Sequence, residues 1–218
     1  MQHPAVEAFR GGPNLIRVVG HRGARGILPE NSMIGFEFLM QTGTPLLEFD
    51  VLMTSDMVPV ITHNHHLHGA ICRGPDKGFL NEEPKVAHLS WAEIQKFDIG
   101  WIDGTTAYGQ RFPERAQLNN IRIPSLYQLL KAADQPLFVD AKFMLEIKSD
   151  PEFAQAFAET VYQDGIKKQP KKTEFQYLKI MHVNYFMVCH LVSGKIGTRL
   201  MQMINKKHHS EQIMNNVN

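Results

Sequence analysis

The sequence predicts an α/β fold with a mostly parallel sheet and a site at one rim. Two observations carry this reading: short apolar runs of strand length recur and end in ionisable residues, and a helical pattern separates the first run from the second. A length of 218 residues suits one domain with a sizeable core.

Residues 16–20 read as the first strand. Gly20 and Gly23 bracket His21 and Arg22, so the backbone can turn sharply and the imidazole and guanidinium project from a strand end. Pro29-Glu30-Asn31-Ser32 opens a helix over 33–41, where Met33, Phe36 and Met40 recur at helical spacing. Asn31 or Ser32 supplies the cap and Gly43 the stop. The second strand covers 46–51. Its Glu48 and Asp50 stand two residues apart and share a face, where two carboxylates repel unless a cation lies between them. They read as metal ligands.

A third strand over 57–63 delivers His63. From 69 to 123 glycine and proline recur around one convincing helix, 91–97 capped by Ser90, which marks an irregular insertion near the site. Trp101, Tyr108 and Phe112 are its candidate lid contacts. Pro124 and Ser125 open a further helix ending near 132. The fourth strand lies within 137–148, with Glu146 and Lys148 on one face, and 153–161 is an amphipathic helix.

A net charge of +1 gives no overall argument for nucleic acid or an anionic membrane surface, but the charge is uneven. Residues 1–164 carry fourteen Lys/Arg against twenty Asp/Glu, whereas 165–218 carry nine Lys/Arg against two Glu. That tail also holds five of the eleven methionines and one apolar run, 185–192, with no clear fifth strand. Cys72 and Cys189 are too few for a disulfide framework and suit a reducing compartment. Residues 1–17 lack the apolar run of a signal peptide and no stretch has the length of a membrane span, so a soluble, cytoplasmic protein is expected.

Four strand ends thus present His21 with Arg22, Glu48 with Asp50, His63, and Glu146 with Lys148. Three carboxylates suit a hard divalent cation, Ca²⁺ or Mg²⁺. Two histidines can form an acid and base pair near neutral pH, and Arg22 with Lys148 can hold a phosphate. The combination points to hydrolysis of a phosphate ester. His65, His66 and His68 read as loop histidines, and Glu30 is either a carboxylate favoured by the helix dipole or a support of the site.

The ordered set His21-Arg22-Gly23, Pro29-Glu30-Asn31-Ser32, Glu48-Phe49-Asp50-Val51, Val58-Pro59-Val60-Ile61-Thr62-His63, Ile123-Pro124-Ser125-Leu126 and Leu145-Glu146-Ile147-Lys148 resembles the glycerophosphodiester phosphodiesterases. The resemblance implies a TIM (β/α)₈-type barrel with a small insertion after the third strand, a single domain over 1–218 that is family-like over 17–164. It implies Glu48, Asp50 and Glu146 as ligands of Ca²⁺ or Mg²⁺, His21 and His63 as acid and base, and Arg22 and Lys148 as phosphate contacts. The implied substrate is a small glycerophosphodiester, cleaved to glycerol 3-phosphate and an alcohol. In two respects the chain departs from the family pattern. Asn64 stands where Asp most often follows the second histidine, and 165–218 lacks the later strand motifs, which leaves the C-terminal half of a barrel incomplete or atypical. A truncated, non-catalytic relative and a related lipid phosphodiesterase are the alternatives.

Overall fold

In a computed structural model that describes residues 16–148 and the backbone of 181–183 and 186–189, the strand Leu46–Met53 (β1) is buried along its whole length. Its alternating side chains serve two cores. Leu47, Phe49, Val51 and Met53 face the helices Met33–Gln41 (α1) and Leu126–Ala132 (α3), while Leu52 faces the insertion.

The strand Pro59–Ile61 (β2) is antiparallel to β1, with Val51 opposite Ile61 and Met53 opposite Pro59. This corrects the expectation of a third parallel strand. Five residues separate the two strands, and a parallel crossover needs a dozen or more, so the chain can only fold back as a hairpin. Thr54 holds the turn by accepting from Val58 N at 2.8 Å, and Met57 takes a positive φ of 61°. The insertion therefore follows a hairpin arm and not a third strand of a parallel series.

The strand Lys142–Ile147 (β3) runs parallel to β1 from Leu46 opposite Lys142 to Val51 opposite Ile147. Beyond it the backbone forms Met181–Val183 (β4) and Phe186–Cys189 (β5), giving the order β2-β1-β3-β5-β4 with β5 antiparallel to β3. The tail thus adds a hairpin where no clear fifth strand was expected, and among the described residues the sheet is mixed and not mostly parallel. The predicted helix at 153–161 lies outside the described residues. The expected first strand is reduced to one parallel bridge, Gly20 to Leu47, with Ile16 and Val18 exposed. A Cβ on Gly20 would fall 2.0 Å from Leu39 Cδ1, so glycine is what lets this segment press against α1.

Ser32 caps α1 by accepting from Gly35 N, and Gly43 turns the chain away at a φ of 76°. A capping box of Ser125 and Gln128 starts α3. The helix Trp91–Ile94 (α2) has the same device in Ser90 and Glu93 but is shorter than the predicted 91–97. The insertion packs Leu67, Cys72, Val86, Ile94, Ile99 and Ile123 against Leu52 and Val60 of the hairpin. Among the described residues no helix is long and apolar enough to cross a membrane.

Phe49 is fully buried and meets Phe36 and Phe143 edge to face at 5.7 and 5.9 Å between ring centroids. Phe49→Ala is expected to lower the unfolding free energy by about 3–5 kcal/mol in urea titration. A loss below about 1 kcal/mol would contradict the placement of this ring at the centre of the core.

Candidate functional site

The site is built along one edge of β1. Glu48 N donates to Gly20 O at 2.9 Å, Gly23 N to Glu48 O at 3.1 Å and Thr62 N to Asp50 O at 3.0 Å, so the ends of the first segment and of β2 meet the same edge of β1 in succession. The turn carrying His21 and Arg22 and the arm carrying His63 therefore converge beside Glu48 and Asp50. On the opposite edge, β3 sets Glu146 across from Asp50.

Glu48, Asp50 and Glu146 each offer a carboxylate oxygen within 4.8 Å of the others, so the structure brings the three predicted ligands together. An all-oxygen set of this compactness fits a hard divalent cation. The unspent chemistry of the cluster agrees. Asp50 Oδ1 is buried and takes no hydrogen bond, although the Lys148 ammonium lies 3.3 Å away. With no cation bound, burial and then the Asp50 charge push the Glu48 carboxyl up to about 7. A cation would relieve that repulsion.

Both predicted phosphate contacts reach the cluster. Lys148 Nζ lies 3.3 Å from Asp50 Oδ1 and 3.4 Å from Glu146 Oε1. Arg22 donates its backbone N–H to Glu48 Oε2 at 2.6 Å, and its Nε lies 3.6 Å from Asp50 Oδ2. Asn31 Nδ2 donates to the same Asp50 oxygen at 3.1 Å. Arg22 and Asn31 take positive φ values of 53° and 51° and are joined by an Asn31 N to Arg22 O hydrogen bond of 2.9 Å. Two left-handed residues thus fold the segment back so that its side chains point at Asp50.

The histidines occupy different surroundings. His21 is exposed, with Nε2 3.9 Å from Glu48 Oε2 and Nδ1 2.9 Å from the Arg25 guanidinium. His63 is less exposed and bonds Asn64 Oδ1 through Nδ1 at 2.5 Å. Burial comes first in lowering both imidazoles below the usual histidine range, with Arg25 and then Arg22 adding to it at His21. A small cleft opens beside His63, lined by Glu30, Asn64, His66, Leu67 and Ile71 among others.

Sequence reasoning left Glu30 undecided and missed Arg115. Glu30 is buried, takes Arg22 Nη1 on Oε1 at 3.1 Å, and holds the Tyr108 hydroxyl and Arg115 Nη1 on Oε2, the latter at 3.6 Å. Of the three candidate lid aromatics, Tyr108 alone is tied to the site by a hydrogen bond. Trp101 lies under Arg73 at 4.4 Å and donates to Asn119, inside the insertion's own structure. Phe112 lies under Arg25 at 5.0 Å.

A cluster of carboxylates flanked by two histidines and two cationic side chains, at the ends of strands in an α/β sheet, has the chemistry that a phosphate-handling site requires. The particular family follows from comparison. Residues 21–185 match the Glycerophosphoryl diester phosphodiesterase family, and the chain belongs to it. The family neighbours imply a TIM-barrel fold, whose parallel pairing the described residues show in β1 with β3 and in the bridge of Gly20 to Leu47. A crystal structure from Silicibacter pomeroyi DSS-3, assigned to the glycerophosphoryl diester phosphodiesterases, is 42% identical with a TM-score of 0.68, covering 75% of this chain and 57% of that one. The mouse Glycerophosphoinositol inositolphosphodiesterase GDPD2 is 30% identical over 138 residues, 60% of this chain and 25% of its own length. A Glycerophosphodiester phosphodiesterase of Bacillus subtilis (strain 168) is 26% identical over 155 residues, 68% of this chain and 46% of its own length. The chain thus spans less than half the length of either curated relative.

The raised Glu48 carboxyl makes a signed prediction for the cation-free protein. A carboxyl held near 7 when folded and about 4.5 when unfolded favours the folded state fully below pH 4.5, and that contribution disappears as pH rises through 7. The Glu48 contribution, read in chelator as the difference between wild type and Glu48→Gln, should therefore decline between these pH values by an amount on the order of 3 kcal/mol, while the lowered His21 and His63 act in the opposite sense in both proteins. A difference that stays flat over this range would show that another group is responsible for any decline.

Proposed function

We propose that this chain hydrolyses glycerophosphodiesters to glycerol 3-phosphate and an alcohol in a reaction that depends on a divalent cation. The observation that carries the reading is the convergence of Glu48, Asp50 and Glu146 within 4.8 Å, with Arg22 and Lys148 against the same Asp50. Glu48, Asp50 and Glu146 would hold Ca²⁺ or Mg²⁺. When bound, that ion supplies Lewis-acid stabilisation of charge on the phosphoryl oxygens.

The remaining work falls to the chain's own groups. Arg22 and Lys148 bind the phosphate oxygens, with the planar guanidinium fixing orientation and the ammonium acting as a point charge. One of His21 and His63 takes a proton from the attacking hydroxyl, which is the substrate's own glycerol hydroxyl or a water, and the other gives a proton to the leaving alcohol. Lowered histidine values keep the ring that accepts the proton neutral near pH 7. Asn64 in place of a carboxylate leaves His63 without a charged partner on Nδ1. The whole of 1–218 is read as one domain, with 17–164 supplying the site and insertion and 165–218 a departure from the family pattern.

The test is release of glycerol 3-phosphate from glycerophosphocholine in Ca²⁺ or Mg²⁺. His21→Ala and His63→Ala should each lower kcat by about 10²–10⁴ with cation affinity retained, whereas Glu48→Ala should lose the cation and the turnover together. Hydrolysis undiminished by chelation would sink the metal assignment.

A further inference from the structure

Glu30 carries more contacts than a carboxylate near a helix start requires. It precedes the capping residue Ser32, is 4% exposed, and divides its two oxygens between two parts of the molecule. Oε1 faces the site and accepts from Arg22 Nη1 at 3.1 Å. Oε2 faces the insertion, where it accepts from the Tyr108 hydroxyl and lies 3.6 Å from Arg115 Nη1. The Arg115 side chain has no exposed surface; its Nη2 donates to Ile99 O at 3.3 Å, its Nε and Nη1 make no hydrogen bond among the described residues, and Glu30 is the carboxylate it faces.

This arrangement leaves Arg22 in a defined state. Its backbone is pinned at both ends, by N–H to Glu48 and by C=O to Asn31, in a left-handed conformation. Its guanidinium is drawn one way by Glu30 through Nη1 and the other way by Asp50 through Nε. Nε is buried and makes no hydrogen bond, which leaves a donor unspent beside the carboxylate cluster. A phosphate oxygen is the group that such a donor suits. The direction in which the fork points is then set by its bond to Glu30, and the direction of Glu30 by two residues of the insertion that touch no other part of the cluster described above.

We propose that Glu30 is a positioning residue for the phosphate-binding guanidinium of Arg22, and that the insertion sets it through Tyr108 and Arg115. The proposal rests on the functional reading above. It gives the insertion a part in phosphate affinity, exerted across one buried carboxylate without any contact of its own with the phosphate.

The experiment compares the 218-residue wild type with Glu30→Gln, Glu30→Asp and Tyr108→Phe. Each is measured for KM and kcat on glycerophosphocholine, for binding of glycerol 3-phosphate and inorganic phosphate in saturating Ca²⁺, and for Ca²⁺ affinity by calorimetry. Loss of one charge-assisted hydrogen bond should weaken phosphate and product binding and raise KM by about ten- to hundredfold in Glu30→Gln, with Ca²⁺ affinity within about twofold of wild type. Glu30→Asp, which keeps the charge on a shorter arm, should recover part of the loss. Tyr108→Phe, which leaves the ring packing in place, should show a smaller loss in the same quantities and add nothing to Glu30→Gln.

Wild-type turnover with all three variants matching its KM and product affinity would overturn the inference and leave the function standing. A wild type without turnover, whose phosphate affinity nonetheless falls in Glu30→Gln, would overturn the function and leave the inference standing. No phosphate affinity in the wild type would overturn both. Should Glu30→Gln fail to fold because Arg115 is left unpaired, Tyr108→Phe decides alone: unchanged phosphate affinity there overturns the proposal.

Discussion

Two carboxylates two residues apart on a buried strand are the constraint to which the rest of the site answers. Glu48 and Asp50 cannot turn away from each other, because the alternation of β1 commits Leu47, Phe49 and Val51 to the helix core. Four groups bring a donor or a positive charge to their face: the Arg22 backbone and guanidinium, the Asn31 amide and the Lys148 ammonium. The third carboxylate, Glu146, makes the electrostatic problem worse in the absence of an ion. A divalent cation among the three carboxylates would offset that repulsion.

The same strand explains why the segments carrying the two histidines share one edge. Residues of even number on β1 direct their backbone groups to one edge, and that edge is shared between two segments. The first leaves it at Gly23, and the β2 arm begins where it leaves. Each histidine therefore stands at the end of a short ladder, and neither depends on the other for its place. Their surroundings differ accordingly, with an arginine beside His21 and an amide beside His63.

Much of this was legible in the sequence because it rests on local rules. The helix at 33–41 follows from spacing and a cap, and the pairing of Glu48 with Asp50 from strand alternation. The antiparallel sense of β2 was legible too, since a five-residue link admits only a hairpin, but the apolar character of 57–63 drew attention away from its connection. Other features were not readable. The left-handed conformations of Arg22 and Asn31 carry no glycine to announce them, and the meeting of Glu30 with Tyr108 and Arg115 spans 78 residues for the hydroxyl contact. Contacts of that range depend on how the insertion packs against the β1–β2 hairpin, which no local pattern encodes.

The parallel pairing of β1 with β3 also imposes an order in time. Asp50 and Glu146 are opposite in the sheet yet 96 positions apart along the chain. During synthesis the hairpin, α1 and the insertion can all form from neighbouring segments, while the β1–β3 ladder must wait for the last ligand to leave the ribosome. A nascent chain therefore carries Glu48 and Asp50 side by side before Glu146 or the Lys148 charge has arrived. The carboxylate cluster is the last part of the site to form, and it forms as one of the longest loops of the described fold closes.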